Sequence, residues 1–177
     1  MSAQEFGPIR QVAYLVEDLP ASVERWSRYA GIGPWTVYRN VELIGHCRRR
    51  DTIVRIDVGL SYQDGLQIEL IQPTSRSVSP YQDAGGRILV GMHHIAWMTD
   101  DLARDRALAL ARGMSVAFEA GNEATSVVYL EAPAEPGMLY EFIQTSPLLL
   151  QGFAAGAAAA RDWDGQQVIL ETIDFAG

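Results

Sequence analysis

Cysteine is almost absent: Cys47 is the single one among 177 residues. That excludes an internal disulfide framework and any zinc site built on thiolates, and it is compatible with a reducing compartment. Basic charge is scarce too. Lys and Arg number 14 against 22 Asp and Glu, a formal net charge of -8. An acidic surface repels phosphate backbones, so nucleic acid is not an expected partner. The one basic run, Arg48-Arg49-Arg50, is too short to reverse that and reads as a solvated loop. Long apolar runs are missing. The Ala-rich stretch 154–160 ends at once in Arg161-Asp162 and reads as helix, not as a membrane span. Residues 1–10 lack a basic start followed by an apolar run, so no signal peptide is expected and the cytoplasm is the expected compartment. The hydrophobic fraction of 48% and the chain length are enough for a sizeable core without staples.

What the chain does have is a repeat. Residues Gln11 to Leu19 align with His94 to Leu102 at an offset of 83. Apolar positions meet apolar ones, Tyr14 meets Trp97, and the acidic pair and leucine fall in register. In both copies a short strand runs into a turn and then a helical segment. The first helix is expected over 20–30 with Val23 and Trp26 on one stripe. The second is expected over 103–112 with Ala107, Leu108 and Leu110 on its apolar side. A second match, 54–73 on 126–145 at an offset of 72, brings Gly65 onto Gly137, Glu69 onto Glu141, Ile71 onto Ile143 and Gln72 onto Gln144. Each glycine sits in a turn cluster between two strand-like runs, so each block reads as a β-hairpin. The expected fold class is α+β: two βαβββ modules in a pseudo-twofold arrangement, forming a curved mixed β-sheet around a cleft. The modules span 7–73 and 92–145, with a Ser/Pro/Gly-rich linker over 74–91 and a tail over 146–177. The tail has no counterpart, and reads as a helix over 149–163 followed by an extended piece over 167–173.

Strand alternation predicts where the polar residues point. Gln11 shares a face with Ala13 and Leu15. Glu69 lies opposite Ile68 and Leu70, His94 opposite Ile95 and Trp97, and Glu141 opposite Tyr140 and Phe142. The bulky face of each strand is the seat for helices, so these four residues share the concave side. The same alternation puts His93 on the face opposite His94. One imidazole, two carboxylates and an amide oxygen on one surface invite a divalent cation: zinc, nickel, cobalt, iron or manganese. The alternative on residue pattern alone is a wet cleft lined by polar groups.

Taken together, these segments resemble the vicinal oxygen chelate superfamily, which includes glyoxalase I, methylmalonyl-CoA epimerase, extradiol dioxygenases and antibiotic-resistance proteins. Residues 91–101 resemble the epimerase motif that opens the second module. Residues 67–70 and 139–142 resemble the glutamate-bearing strands, and residues 12–19 the opening strand. The resemblance covers about residues 9–145. It implies metal ligands at Gln11, Glu69, His94 and Glu141, a set similar to the animal glyoxalase I. The glutamine at the first position counts against the dioxygenases, whose iron uses two histidines. Where epimerases carry a second carboxylate base, this chain has Arg55, with Asp57 on the same face. Arg55 cannot act as a base, but it could clamp a substrate carboxylate or phosphate; the alternative is a salt bridge with Asp57 or another acid.

The implied chemistry is that of a metal-dependent isomerase, epimerase or lyase. The metal holds two substrate oxygens and stabilises an enolate, while Glu141, with Glu69 as second candidate, takes the proton next to the carbonyl. The rival reading is a non-catalytic protein that sequesters a small molecule in the same cleft. The expected substrate is an acyl-CoA thioester, an α-oxo compound or similar. Trp35, Tyr38, Tyr62 and Tyr81 are expected to line the cleft. A homodimer is expected, with Leu148, Leu149, Leu150 and Phe153 covering the subunit boundary; the alternative is that this part of the tail packs on its own chain.

Overall fold

The computed structural model describes residues 5–176. The expected start of the N-terminal segment, residues 1–4, and the last residue of the tail, Gly177, lie outside the described residues. Two runs of the same element order follow one another. The first is β1 (Gln11–Leu15), α1 (Leu19–Ala30), β2 (Trp35–Cys47), β3 (Arg50–Gln63) and β4 (Leu66–Pro73). The second is β5 (Gly91–Thr99), α2 (Leu102–Ala111), β6 (Ser115–Gly121), β7 (Ser126–Glu131) and β8 (Leu139–Gln144). The tail adds α3 (Pro147–Arg161) and β9 (Ile169–Asp174).

The repeated residues hold equivalent places because they solve the same local problems. Asp18 and Asp101 are the N-caps of α1 and α2, accepting from the backbone N–H of Ala21 and Arg104. Gln72 and Gln144 accept the N–H of Leu19 and Leu102, tying each helix start to the last strand of its own module. Gly65 and Gly137 have φ of 80° and 93°, a left-handed turn conformation that a side chain would strain. The β3–β4 and β7–β8 pairs are antiparallel hairpins, as the sequence implies.

The strands form one sheet in the order β3-β4-β1-β5-β8-β7-β6-β2-β9. β2 also pairs with β3, so the first eight strands close on themselves, and β9 attaches in parallel to the outer length of β2. The modules meet at β1 and β5, which run antiparallel. The inner core gathers Ala13, Leu15, Val54, Ile56, Val58, Ala96, Phe118 and Tyr129. Trp26, Val23 and Leu19 of α1 pack outside the sheet on Trp35, Ile68 and Leu70. α2 packs on Val128, Leu130 and Phe142 through Leu102 and Ala109.

Three expectations change here. The buried line of α2 runs through Asp105 and Ala109, while Leu110 is exposed. Asp105 is accommodated by an ion pair with Arg104. Trp35 does not line the cleft; its place at the start of β2 points it under α1, against Trp26. In the tail, Leu149 and Phe153 pack on their own chain, leaving Leu148 and Leu150 exposed. No helix among the described residues is long and apolar enough to cross a membrane.

Candidate functional site

Strands β1, β4, β5 and β8 bring Gln11, Glu69 and Glu141 into contact with His94. The register explains it: Ala13 sits beside both Glu69 and His94, and Ala96 beside both Gln11 and Glu141. Small residues at these two positions let the four larger side chains converge. His94 Nε2 lies 2.9 Å from Glu141 Oε2, 3.1 Å from Gln11 Oε1 and 3.4 Å from Glu69 Oε2. His94 is fully enclosed and Gln11 and Glu141 nearly so, while the Glu69 side chain keeps 14% of its surface. These are the four residues expected from the sequence to hold a cation, and the structure brings them together.

Two relays aim acceptor atoms at this centre. His93 Nε2 is 2.9 Å from the Pro80 carbonyl, to which it donates. A neutral His93 then has its lone pair on Nδ1, 2.9 Å from His94 Nδ1, which must be the donor. That leaves Nε2 facing the oxygens, a donor while His94 is protonated and a lone pair once it is neutral. On the other side, Gln67 Nε2 donates to the Tyr62 hydroxyl at 2.7 Å, and Gln11 Nε2 donates to Gln67 Oε1 at 2.6 Å. The oxygen of Gln11 is thereby turned inwards.

The electrostatics follow from this crowding. Burial pushes the His93 imidazole down to about 3, helped by the neighbouring His94, so His93 is neutral. Burial alone would lower His94 as well, but Glu141 and then Glu69 outweigh it and lift the imidazole to about 9. Burial raises Glu141, and the like charge of Glu69 adds to this, against the pull of His94. One imidazolium thus offsets only part of the charge of two carboxylates. Glu141 Oε2 is buried, and the protonated Nε2 of His94, 2.9 Å away, is the donor that faces it. Above the cluster the Tyr129 ring sits 4.8 Å from that of His94, and its hydroxyl is 3.1 Å from that of Tyr81 in the linker.

His93 corrects the alternation argument. Pairing with β1 jumps from Ala13–His94 to Tyr14–Met92, a β-bulge that leaves His93 without a partner of its own. Both imidazoles therefore point inwards. Arg55 is not brought to the cluster: its guanidinium lies 2.8 Å from Glu42 on the outer surface, and Asp57, on the same outer side, accepts the N–H of Asn40. The neighbours of Arg55 that do face the interior, Val54, Ile56 and Val58, are apolar. Of the expected cleft aromatics, Tyr62 and Tyr81 reach the network, while Tyr38 stacks against Phe175. Gln67 was legible in the sequence, since it lies two residues from Glu69 and so on its face. Tyr129 carried no such signal. A cavity of about 540 Å³ between Arg48, Leu89, Pro136 and Leu139 reaches His93 but none of the four converging residues, so it lies behind the imidazoles rather than over the cluster.

The profile of the Glyoxalase/Bleomycin resistance protein/Dioxygenase superfamily matches residues 10–129, more than half of the chain. The chain belongs to that superfamily. Among solved structures, the methylmalonyl-CoA epimerase from Mycobacterium tuberculosis is similar with a TM-score of 0.56 and 17% identity, over 85% of this chain and 96% of that one. A hypothetical protein from Bacillus halodurans gives 0.54 and 17%, over 78% and 94%. The Streptomyces coelicolor methylmalonyl-CoA epimerase, solved with 2-nitronate-propionyl-CoA, gives 0.51 and 21%, over 78% and 96%. At these identities the likeness is one of fold. A search of curated proteins found no significant match.

Proposed function

We propose that the protein is a metal-dependent isomerase, epimerase or lyase of the glyoxalase type, in which Gln11, Glu69, His94 and Glu141 hold one divalent ion. The observation that carries this reading is the convergence of two carboxylate oxygens and an amide oxygen on His94 Nε2 in an enclosed site, where one imidazolium offsets only part of their charge. Two carboxylates and an amide oxygen facing one another repel unless a cation stands among them; the His94 proton serves in the metal-free protein, and a divalent ion would replace it on the imidazole lone pair. The separations of 2.9–3.4 Å from His94 Nε2 are also those of neighbouring ligand atoms held by one ion. At about 2.1 Å from a metal, such atoms stand roughly 3.0–3.4 Å apart. Among the described residues no group of three or more His, Cys, Asp or Glu side chains is spaced to hold a metal ion as it stands. The donors instead contact each other directly, which is the arrangement expected when the cation between them is a proton.

Bound there, the ion would supply a Lewis acid for the substrate carbonyl oxygen and for the charge that develops on it. The chain supplies the rest. Glu141 Oε2, held above its ordinary affinity for protons by burial, is suited to take the proton from the carbon next to the carbonyl. Glu69, the most accessible of the four, is the second candidate and the side from which a substrate reaches the cluster. The apolar enclosure of Val58, Tyr81 and Tyr129 excludes water from the developing charge. Arg55 has no part in this reading, because Glu42 holds it outside. A two-base epimerisation would have to use Glu69 opposite Glu141, since β3 offers no inward carboxylate. The epimerases of similar fold make acyl-CoA thioesters the first substrates to screen, with α-oxo compounds second. A homodimer, with Leu148 and Leu150 at the boundary, belongs to the same reading.

The test is metal analysis followed by solvent-deuterium exchange. About one ion per chain is expected, with deuterium entering the carbon next to the carbonyl. Glu141→Gln should keep ligand affinity and lose exchange by about a hundredfold to ten-thousandfold. Tight binding of a thioester or α-oxo compound by the metal-loaded protein, without any exchange, would establish sequestration instead.

A further inference from the structure

The relay behind Gln11 reaches the tail, which has no counterpart in the repeat. Gln11 and Gln67 are cross-strand partners in the parallel β1–β4 pair, both nearly enclosed. Gln67 reaches on to the Tyr62 hydroxyl. The Tyr62 ring is held by α3: it and the Phe153 ring meet in a T-shaped pair at 4.9 Å, and the Arg10 guanidinium lies over the Phe153 ring at 4.6 Å. Gly156 of α3 lies so close that a Cβ there would come within 2.2 Å of the ring.

An amide can rotate by half a turn with almost no change of shape, exchanging oxygen for NH₂. With Gln67 donating to Tyr62, a flipped Gln11 would aim its NH₂ at the cation site and set its oxygen against Gln67 Oε1; the chain would stay paired only if Gln67 turned over with it and the Tyr62 hydroxyl donated instead of accepting. We propose that Gln67 and Tyr62 are positioning residues that make Gln11 present its oxygen to the centre, and that α3 holds this relay in place through Phe153 and Gly156. The inference rests on the metal reading for the use of that oxygen. The repeat supports it, because the position matching Gln67 in the second module is Leu139, beside His94. A histidine has no such ambiguity to resolve from that side, and no amide is placed there.

The experiment measures cobalt(II) affinity and visible absorption on the full chain, together with exchange of the Gln11 side-chain NH₂ by NMR. Gln67→Leu should weaken cobalt by about 10–100-fold, the usual consequence of removing a group that orients a ligand. It should also change the absorption bands and expose the NH₂ to exchange. Gln67→Glu keeps an acceptor and should restore both the bands and the protected NH₂. Gly156→Ala favours the helix itself but drives a methyl into Tyr62, so a weakening of cobalt with helix content retained would report on the relay. Cobalt affinity and spectrum unchanged in Gln67→Leu and Gly156→Ala would overturn the proposal. If the wild type binds no cobalt, the metal reading fails separately. The relay then stands if the Gln11 NH₂ is protected in wild type and exposed in Gln67→Leu, and falls if the two exchange alike.

Discussion

The two modules share a backbone plan but equip it differently. In the first, Gln11 is aimed by an amide on the neighbouring strand, and through Gln67 and Tyr62 by the tail helix. In the second, His94 is aimed by the residue before it, through a bulge that turns His93 inwards and onto the Pro80 carbonyl. The glutamates, by contrast, are alike: Glu69 and Glu141 each sit beside an alanine of the adjacent parallel strand. Duplication of the unit set the four positions, and unrepeated neighbours decide which atom each presents. The support for Gln11 comes from far along the chain, while that for His94 is local.

That comparison can be broken by removing one member of each half. His94→Ala should abolish metal binding, since the imidazole is the one nitrogen donor, whereas Gln11→Ala should weaken it while leaving measurable affinity. Calorimetric titration with zinc decides this, and equal losses would dissolve the asymmetry. Next in size, His93→Phe should weaken zinc by about tenfold or more, because His94 loses the acceptor that holds its tautomer. Unchanged affinity there would return His93 to the indifferent role that simple alternation gave it.

In the metal-free protein the two imidazoles should shape stability in opposite directions. His93 has a folded value near 3 against an ordinary 6.5, so its contribution is present above pH 6.5 and is lost as pH falls towards 3. His94, lifted to about 9, contributes fully below pH 6.5 and loses that contribution as pH rises through about 9. Urea midpoints across this range should therefore fall on both sides, with the acid limb flatter in His93→Phe. The smallest effect is expected outside the cluster. Arg55→Ala removes an exposed ion pair and should cost less than about 1 kcal/mol, leaving zinc affinity unchanged. A large loss of substrate affinity in that variant would restore Arg55 to the site.

The sequence by itself determined the duplicated unit and the face on which its polar residues lie. Period-two alternation and the offsets of 83 and 72 carry that information locally, and the capping aspartates, turn glycines and strand-end glutamines repeat because each module needs the same joints. Tertiary structure decided the rest. A one-residue bulge inverted the direction of His93, and no local pattern announces where a ladder will slip. The direction of Trp35 depended on where α1 packs, and that of Arg55 on Glu42 across the β2–β3 pair. The orientation of the Gln11 amide depended on Gln67, Tyr62 and a helix nearly a hundred residues further on. A side chain's face follows from its own strand, but the atom it presents follows from hydrogen-bond partners that the closed sheet brings together.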